Sequence, residues 1–200
     1  MTGIRLLVEG FGDQAAVPEL IRRILSANGK YHVQIMPSPM MAGGIAKLRR
    51  QGELERFLGY AALKAGEVIL LVLDCEDDCA VHVADEFLMR ARNLQPPIGK
   101  PFFVALLVKE FETLFLHSRA ALARAFPDFG WRKPSDAPDR DWETVRGAKE
   151  QLKRFLGTGR SYKELTDQPR FAAKVDLDVL RERSRSFRHL ENVLLEIAAP

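Results

Sequence analysis

The sequence predicts an α/β fold: a four-stranded parallel sheet flanked by helices, followed by a helical C-terminal extension. Three observations carry this expectation. Apolar runs of strand length at 4–8, 67–73 and 100–108 alternate with longer stretches of helical periodicity. The run Val68, Ile69, Leu70, Leu71, Val72, Leu73 has no polar break, as a strand covered on both faces requires. Three of the runs end in a carboxylate (Glu9, Asp74 and Glu110), at the edge where ligands of open parallel sheets gather.

Taken in order, residues 4–8 read as a buried strand, and Gly10 and Gly12 permit a tight turn after it. Asp13 is placed to cap a helix to about Ala27, with Val17, Leu20, Ile21, Ile24 and Leu25 on one face and Pro18 in its first turns. Asn28-Gly29 closes that helix, and 31–36 alternates as a second strand. Residues 37–44 form a turn-rich loop, and a helix over 45–63, interrupted at Gly52, buries Leu54, Phe57, Leu58 and Ala61. The strand at 67–73 precedes a helix over 80–94, which Pro96-Pro97 and Gly99 end. A strand at 100–108 leads to a helix over 112–126 and a Pro- and Asp-rich loop over 127–141. Beyond it the pattern is wholly helical: 142–156, a break at 157–159, then 170–175, 178–183 and 187–197. The expected division is an α/β domain over 1–126 and a helical extension over 127–200 packed on it.

The longest apolar runs are too short to span a bilayer, and the N-terminus enters a strand pattern directly, so a cytoplasmic protein without membrane contact is expected. Two cysteines imply no disulfide framework. Cys75 and Cys79 lack the second pair that a zinc site needs and read as incidental thiols. Net charge is only +3, but basic residues crowd 146–188, from Arg146, Lys149 and Lys153 to Arg188. Such a tail suits a polyanion, DNA or RNA, and equally suits solvated helix faces.

The acids form four clusters: Glu9 with Asp13; Asp74, Glu76, Asp77 and Asp78; Glu110 with Glu112; and, with no strand before them, Asp176 and Asp178. Carboxylates gathered at one sheet edge repel each other, and hard oxygen donors of this kind favour Mg²⁺ or Mn²⁺. Asp77 and Asp78 also fit as caps of the helix that follows them. Glu110 and Glu112, two apart, point the same way only on extended backbone, so one of the two can be structural.

The stretch Leu6-Leu7-Val8-Glu9-Gly10-Phe11-Gly12-Asp13 resembles the first Toprim motif, and Leu70-Leu71-Val72-Leu73-Asp74-Cys75-Glu76-Asp77 resembles the second, with Glu76 in the place of the usual second Asp. More closely, the chain resembles stand-alone bacterial Toprim-like proteins of unknown function, often encoded beside an AAA/ABC-type ATPase in anti-phage defence cassettes. That likeness rests on Lys109-Glu110-Phe111-Glu112-Thr113-Leu114, Tyr162-Lys163 with Gln168-Pro169, and Ser184-Arg185-Ser186-Phe187. The resemblance implies a Rossmann-like four-stranded sheet and a Mg²⁺- or Mn²⁺-dependent nuclease related to the OLD type. It implies Glu9, Asp13, Asp74, Glu76 and Glu110 as metal ligands. The catalytic set it implies is Glu9, Asp74, Glu110 and Glu112, with Lys109 or Lys163 stabilising charge on the scissile phosphate. A partner ATPase is implied, and a homo-oligomer is left open. The competing expectation is a catalytically degenerate Toprim-fold subunit or sensor that binds the ATPase. A receiver-like phosphate-binding domain would use Lys109 and Asp74, but the Glu-Gly turn and the helical tail speak against it.

Overall fold

In the computed structural model, which describes residues 1–132 and 140–199, strands β1 (Thr2–Val8), β2 (Val33–Ile35), β3 (Met40–Met41), β4 (Val68–Asp74) and β5 (Phe102–Leu107) form one parallel sheet. The order is β2-β1-β4-β5, with β3 also pairing β1. Ile4 lies opposite Val68 and Val8 opposite Val72, while Leu73 lies opposite Leu106 and Asp74 opposite Leu107. This register brings the carboxyl ends of β1, β4 and β5 side by side.

Side chains alternate across the sheet as the strand period demands. Ile4, Leu6, Val8, Leu70, Val72, Ala105 and Leu107 face one apolar layer; Leu7, Ile69, Leu71, Leu73, Val104 and Leu106 face the other. The second layer is closed by α2 (Ile45–Leu48), α3 (Glu53–Ala62) and α4 (Ala80–Arg92). The first is closed by α1 (Asp13–Ala27) together with α5 (Glu112–His117), α6 (Arg119–Ala125), α7 (Ala148–Phe155), α8 (Glu164–Ala172), α9 (Leu177–Arg183) and α10 (Arg185–Ile197). Helix α8 packs on α1 and α10 on β5, so the C-terminal helices share one continuous core with the first 126 residues. Phe171 sits at its centre, with Phe115, Phe126, Phe129, Trp131 and Tyr162 packed around its ring.

The sheet has five strand segments where four were expected, because the edge strand beside β1 is broken. Pro37 and Pro39 cannot donate to the ladder, and between them Ser38 turns left-handed at φ 59°. The chain leaves β1 after Ile35 and rejoins it as β3 at Met40. Buried Arg5 holds the excursion in place, donating to the carbonyls of Pro37 (2.9 Å) and Ala65 (3.0 Å).

Three further departures are local. The helix expected over 112–126 divides at Ser118, whose hydroxyl accepts the Asp176 N–H at 2.6 Å. The helix expected over 142–156 begins as a 3₁₀ turn, Trp142–Thr144, and restarts as α7 after Gly147 at φ 66°. Helix α8 starts at Glu164 rather than at 170 and runs through Pro169. Residues 133–139 of the expected loop lie outside the described residues.

Candidate active site

Glu9 follows β1 and Asp74 ends β4, and the pairing of those strands makes them neighbours: the Asp74 N–H donates to Glu9 Oε2 at 3.3 Å. Both line an open cavity of about 410 Å³, with Glu76 and Glu110 on its acidic side and Lys109, Arg146 and Lys149 on its basic side. A smaller cavity of about 190 Å³ continues past Glu9 and Asp74 to Gly43, Gly44 and Arg49. Gly44 has φ 81°, and a Cβ there would stand 3.1 Å from Glu9 Oε1, so glycine lets the loop before α2 lie against that carboxylate.

Asp13 opens α1 and folds back over the turn rather than serving as the N-cap, which is Gly12. Its Oδ2 accepts the Gly10 N–H at 3.1 Å, and its Oδ1 accepts from Gln168 Nε2 at 3.1 Å. Gln168 comes from α8 and presses so closely on Gly12 that a Cβ there would collide with its amide oxygen.

The exits of β4 and β5 are locked together in an unusual way. Glu76 (φ 47°) and Lys109 (φ 67°) are both left-handed non-glycines, and the Glu76 N–H donates to the Lys109 carbonyl at 3.0 Å. Backbone of this kind costs about 1–3 kcal/mol per residue and persists where its surroundings enforce it, commonly at functional sites. The lock carries Asp77 away from α4 towards β5, where it accepts from Lys109 Nζ (2.7 Å) and Arg146 Nε (2.9 Å). Asp78 accepts from Arg49. Neither acid caps α4, whose N-cap is Cys79, so that expectation is corrected. Asp176 does act as a cap: it accepts the N–H groups of Asp178 and Val179 and takes the fourth acidic cluster out of the site.

Glu110 Oε2 accepts the Lys149 N–H at 2.9 Å, which ties the start of α7 to the end of β5. Glu112 begins α5 and is buried. Lys149 Nζ pairs with Glu164 of α8. Lys163 precedes α8, with its backbone N–H on Asp167 (2.8 Å) and its side chain exposed; it does not line the cavity.

Burial, joined by nearby carboxylates at Glu9, Asp74 and Glu112, raises the proton affinity of four acids. Asp74 keeps some solvent contact, yet the protein around it, and then Asp13, Glu112 and Glu9, hold its pKa well above the ordinary carboxylate value. Burial and Asp13 raise Glu9, with the Asp74 N–H and Lys149 opposing. Burial raises Asp13, with the Gly10 and Gln168 hydrogen bonds opposing. Burial raises Glu112, with Lys149 and the Tyr162 hydroxyl opposing. Neither Glu112 Oε1 nor that hydroxyl completes a hydrogen bond of ordinary geometry. Among the described residues, no three His, Cys, Asp or Glu side chains already stand together in a metal-ligating arrangement. Cys75 is buried, its thiol pushed up to about 11 by burial, and Cys79 is exposed.

A family model described as "Domain of unknown function (DUF4276)" matches residues 8–195. The chain belongs to the DUF4276 family. No curated protein and no solved structure matches it. The matched DUF4276 span contains every carboxylate of the cluster, the helices α7 and α8 that supply Lys149 and Gln168, and the connection between them that supplies Tyr162. Sequence reasoning placed Lys149 and Arg146 in a long basic run suited to a polyanion and gave neither a role of its own at the acidic edge. Tyr162 and Gln168 were marked only by family likeness, since neither carries a chemical signature of its own. Ser184-Arg185-Ser186, marked in the same way, lies away from the cluster and binds Glu143. No described helix is long and apolar enough to cross a membrane.

Proposed function

We propose that this DUF4276 protein is a Toprim-like, Mg²⁺- or Mn²⁺-dependent enzyme that cleaves phosphodiester bonds in DNA or RNA, acting with an ATPase partner in anti-phage defence. One observation carries the reading: carboxylates from the tips of β1 and β4 adjoin, and with Asp13 and Glu112 they form a mutually repelling group beside an open polar cavity. The chemistry of this donor set fits a hard divalent ion. All the donors are carboxylate oxygens, and behind them buried Glu112 Oε1 completes no hydrogen bond of ordinary geometry. Glu9, Asp13, Asp74, Glu76 and Glu110 are the residues that would hold the ion. When bound, it supplies activation of water and charge neutralisation at a phosphate. Glu112 and Tyr162 support the group from behind. Lys109 and Arg146, held together by Asp77, face the same cavity and offer their remaining N–H donors to phosphate oxygens. The defence setting and the ATPase rest on the family resemblance alone.

The test is incubation of purified protein with plasmid, single-stranded DNA and tRNA, with Mn²⁺, with Mg²⁺ or with chelator. Cleavage is expected only with metal, and Glu9→Ala and Asp74→Ala are expected to abolish it. Cleavage that survives both substitutions would falsify the assignment. The second reading, a non-catalytic subunit for the ATPase, is favoured by the absence of a preformed three-ligand group among the described residues. It expects co-purification with the ATPase regardless of those acids, and no Mn²⁺ heat that depends on Asp74.

A further inference from the structure

Asp77 sits in a fork of cations. Its Oδ1 accepts from Lys109 Nζ at 2.7 Å and from Arg146 Nε at 2.9 Å, and its Oδ2 lies 2.8 Å from an Arg146 Nη2. This two-point hold of a guanidinium on a carboxylate is the same one it places on a phosphate. All three residues line the cavity that Glu9 and Asp74 share. Backbone enforces the placement: Glu76, directly before Asp77, and Lys109, its partner, are the left-handed pair locked by the Glu76 N–H on the Lys109 carbonyl. Yet the contact is made at the surface, with the Asp77 side chain 52% and the Arg146 side chain 79% exposed. Exposed ion pairs are weak, so a competing anion displaces the carboxylate at little cost, and Asp77 turns into solvent without losing hydration.

We propose that Lys109 and Arg146 form the site of one substrate phosphate, and that Asp77 occupies this site in the free protein until the phosphate displaces it. The inference rests on the reading of Lys109 and Arg146 as phosphate donors and adds what they hold before substrate arrives. A phosphodiester offers two non-bridging oxygens and one negative charge, the same count as a carboxylate. The N–H groups that Asp77 leaves free meet the phosphate first, and the edge of Arg146 then passes from carboxylate to phosphate. Asp77 is thus an internal competitor of the polyanion.

The experiment is fluorescence anisotropy of a labelled single-stranded oligonucleotide with the full chain in chelator, where metal-dependent cleavage does not intervene. Asp77→Asn and Asp77→Ala are expected to bind roughly fivefold more tightly than the wild type at low salt, the scale of one unit charge close by in water. Glu150 lines the same cavity but pairs with Lys153. Glu150→Gln, the control for charge alone, is expected to change binding by less than about twofold, as a screened exposed charge does. In an Arg146→Gln background the gain from Asp77→Asn is expected to fall by about half or more, because the two residues share one contact. Equal tightening by Glu150→Gln, or a gain that survives Arg146→Gln in full, marks a general charge effect and overturns the inference. Unchanged or weaker binding in both Asp77 variants, while the wild type binds and cleaves, overturns it too and leaves the functional reading standing. A wild type that neither binds the oligonucleotide nor cleaves nucleic acid with Mn²⁺ overturns both.

Discussion

At the strand tips, Glu9, Asp13, Asp74 and Glu112 hold a proton more tightly than a free carboxyl does; in the C-terminal helices, Glu143 and Glu191 hold one less tightly. Burial pushes all six the same way, so the difference lies in what surrounds them. Glu143 Oε1 accepts from the Ser184 hydroxyl (2.8 Å), the Ser186 N–H (2.8 Å) and the Ser186 hydroxyl (2.7 Å), while Oε2 accepts from Arg185 (3.1 Å). Glu191 accepts from Arg181 (2.8 Å) and Asn28 (2.9 Å), joining α10 to α9 and α1. The strand-tip acids accept fewer: Asp13 from Gly10 and Gln168, and Glu9 from Asp74. A buried carboxylate with a full set of donors holds a fold together, whereas a group of them short of donors is a standing cost that function must explain.

Removing the acids separates the two groups. The largest expected effect is on catalysis: Asp74→Ala or Glu9→Ala should lower metal-dependent cleavage by roughly a thousandfold, the scale of losing a preorganised charge contact at a reacting group. Single-turnover cleavage of labelled RNA and DNA reads it. Glu143→Ala should leave cleavage per folded molecule unchanged and cost about 3 kcal/mol of stability, since it strands the buried donors of Ser184 and Ser186. Urea denaturation measures that loss. Asp74→Asn should do the reverse in chelator, raising stability by about 1 kcal/mol because it removes a repelling buried charge. Asp176→Ala should cost about 1 kcal/mol through loss of the α9 cap and should leave cleavage intact, although the residue belongs to an acidic cluster of the sequence.

The pH dependence sharpens the contrast. A carboxyl whose folded pKa is raised binds more protons folded than unfolded, so its contribution to stability falls as pH rises from the unfolded value through the folded one. Metal-free stability should therefore decline towards neutral pH on account of Asp74, and Asp74→Asn should flatten that decline. Glu143 runs the other way: its contribution is present above the ordinary carboxyl pKa of 4.5 and is lost as pH falls through its lowered folded value. Thermal melts between acid and neutral pH should show the acid-side loss weakened in Glu143→Ala. A wild-type-like acid limb in that variant contradicts the assignment.

The strands and the acids at their ends were legible because a buried parallel strand is written as an uninterrupted apolar run and its exit as the first charge after it. Glu9, Asp74 and Glu110 therefore fell on one sheet edge from sequence alone. Pairs that depend on distant segments were not legible. Lys149 lies 140 positions from Glu9 in the numbering, and only the packing of α7 brings it to the cavity. Asp77 read as a cap because a carboxylate before a helix usually is one; the left-handed turn at Glu76 turned it elsewhere. The split edge strand was half legible: Pro37 and Pro39 marked a loop, but the return to β1 at Met40 depends on Arg5, whose burial no local pattern announces.

The contact between Gly12 and Gln168 bears on how the protein is made. During synthesis the turn carrying Glu9 and Asp13 emerges early, but Asp13 gains its Gln168 partner only after α8 has been translated and docked. Until then the acidic edge lacks both that amide and the Lys149–Glu164 couple. A growing chain thus completes its sheet before the acidic edge gains its last partners.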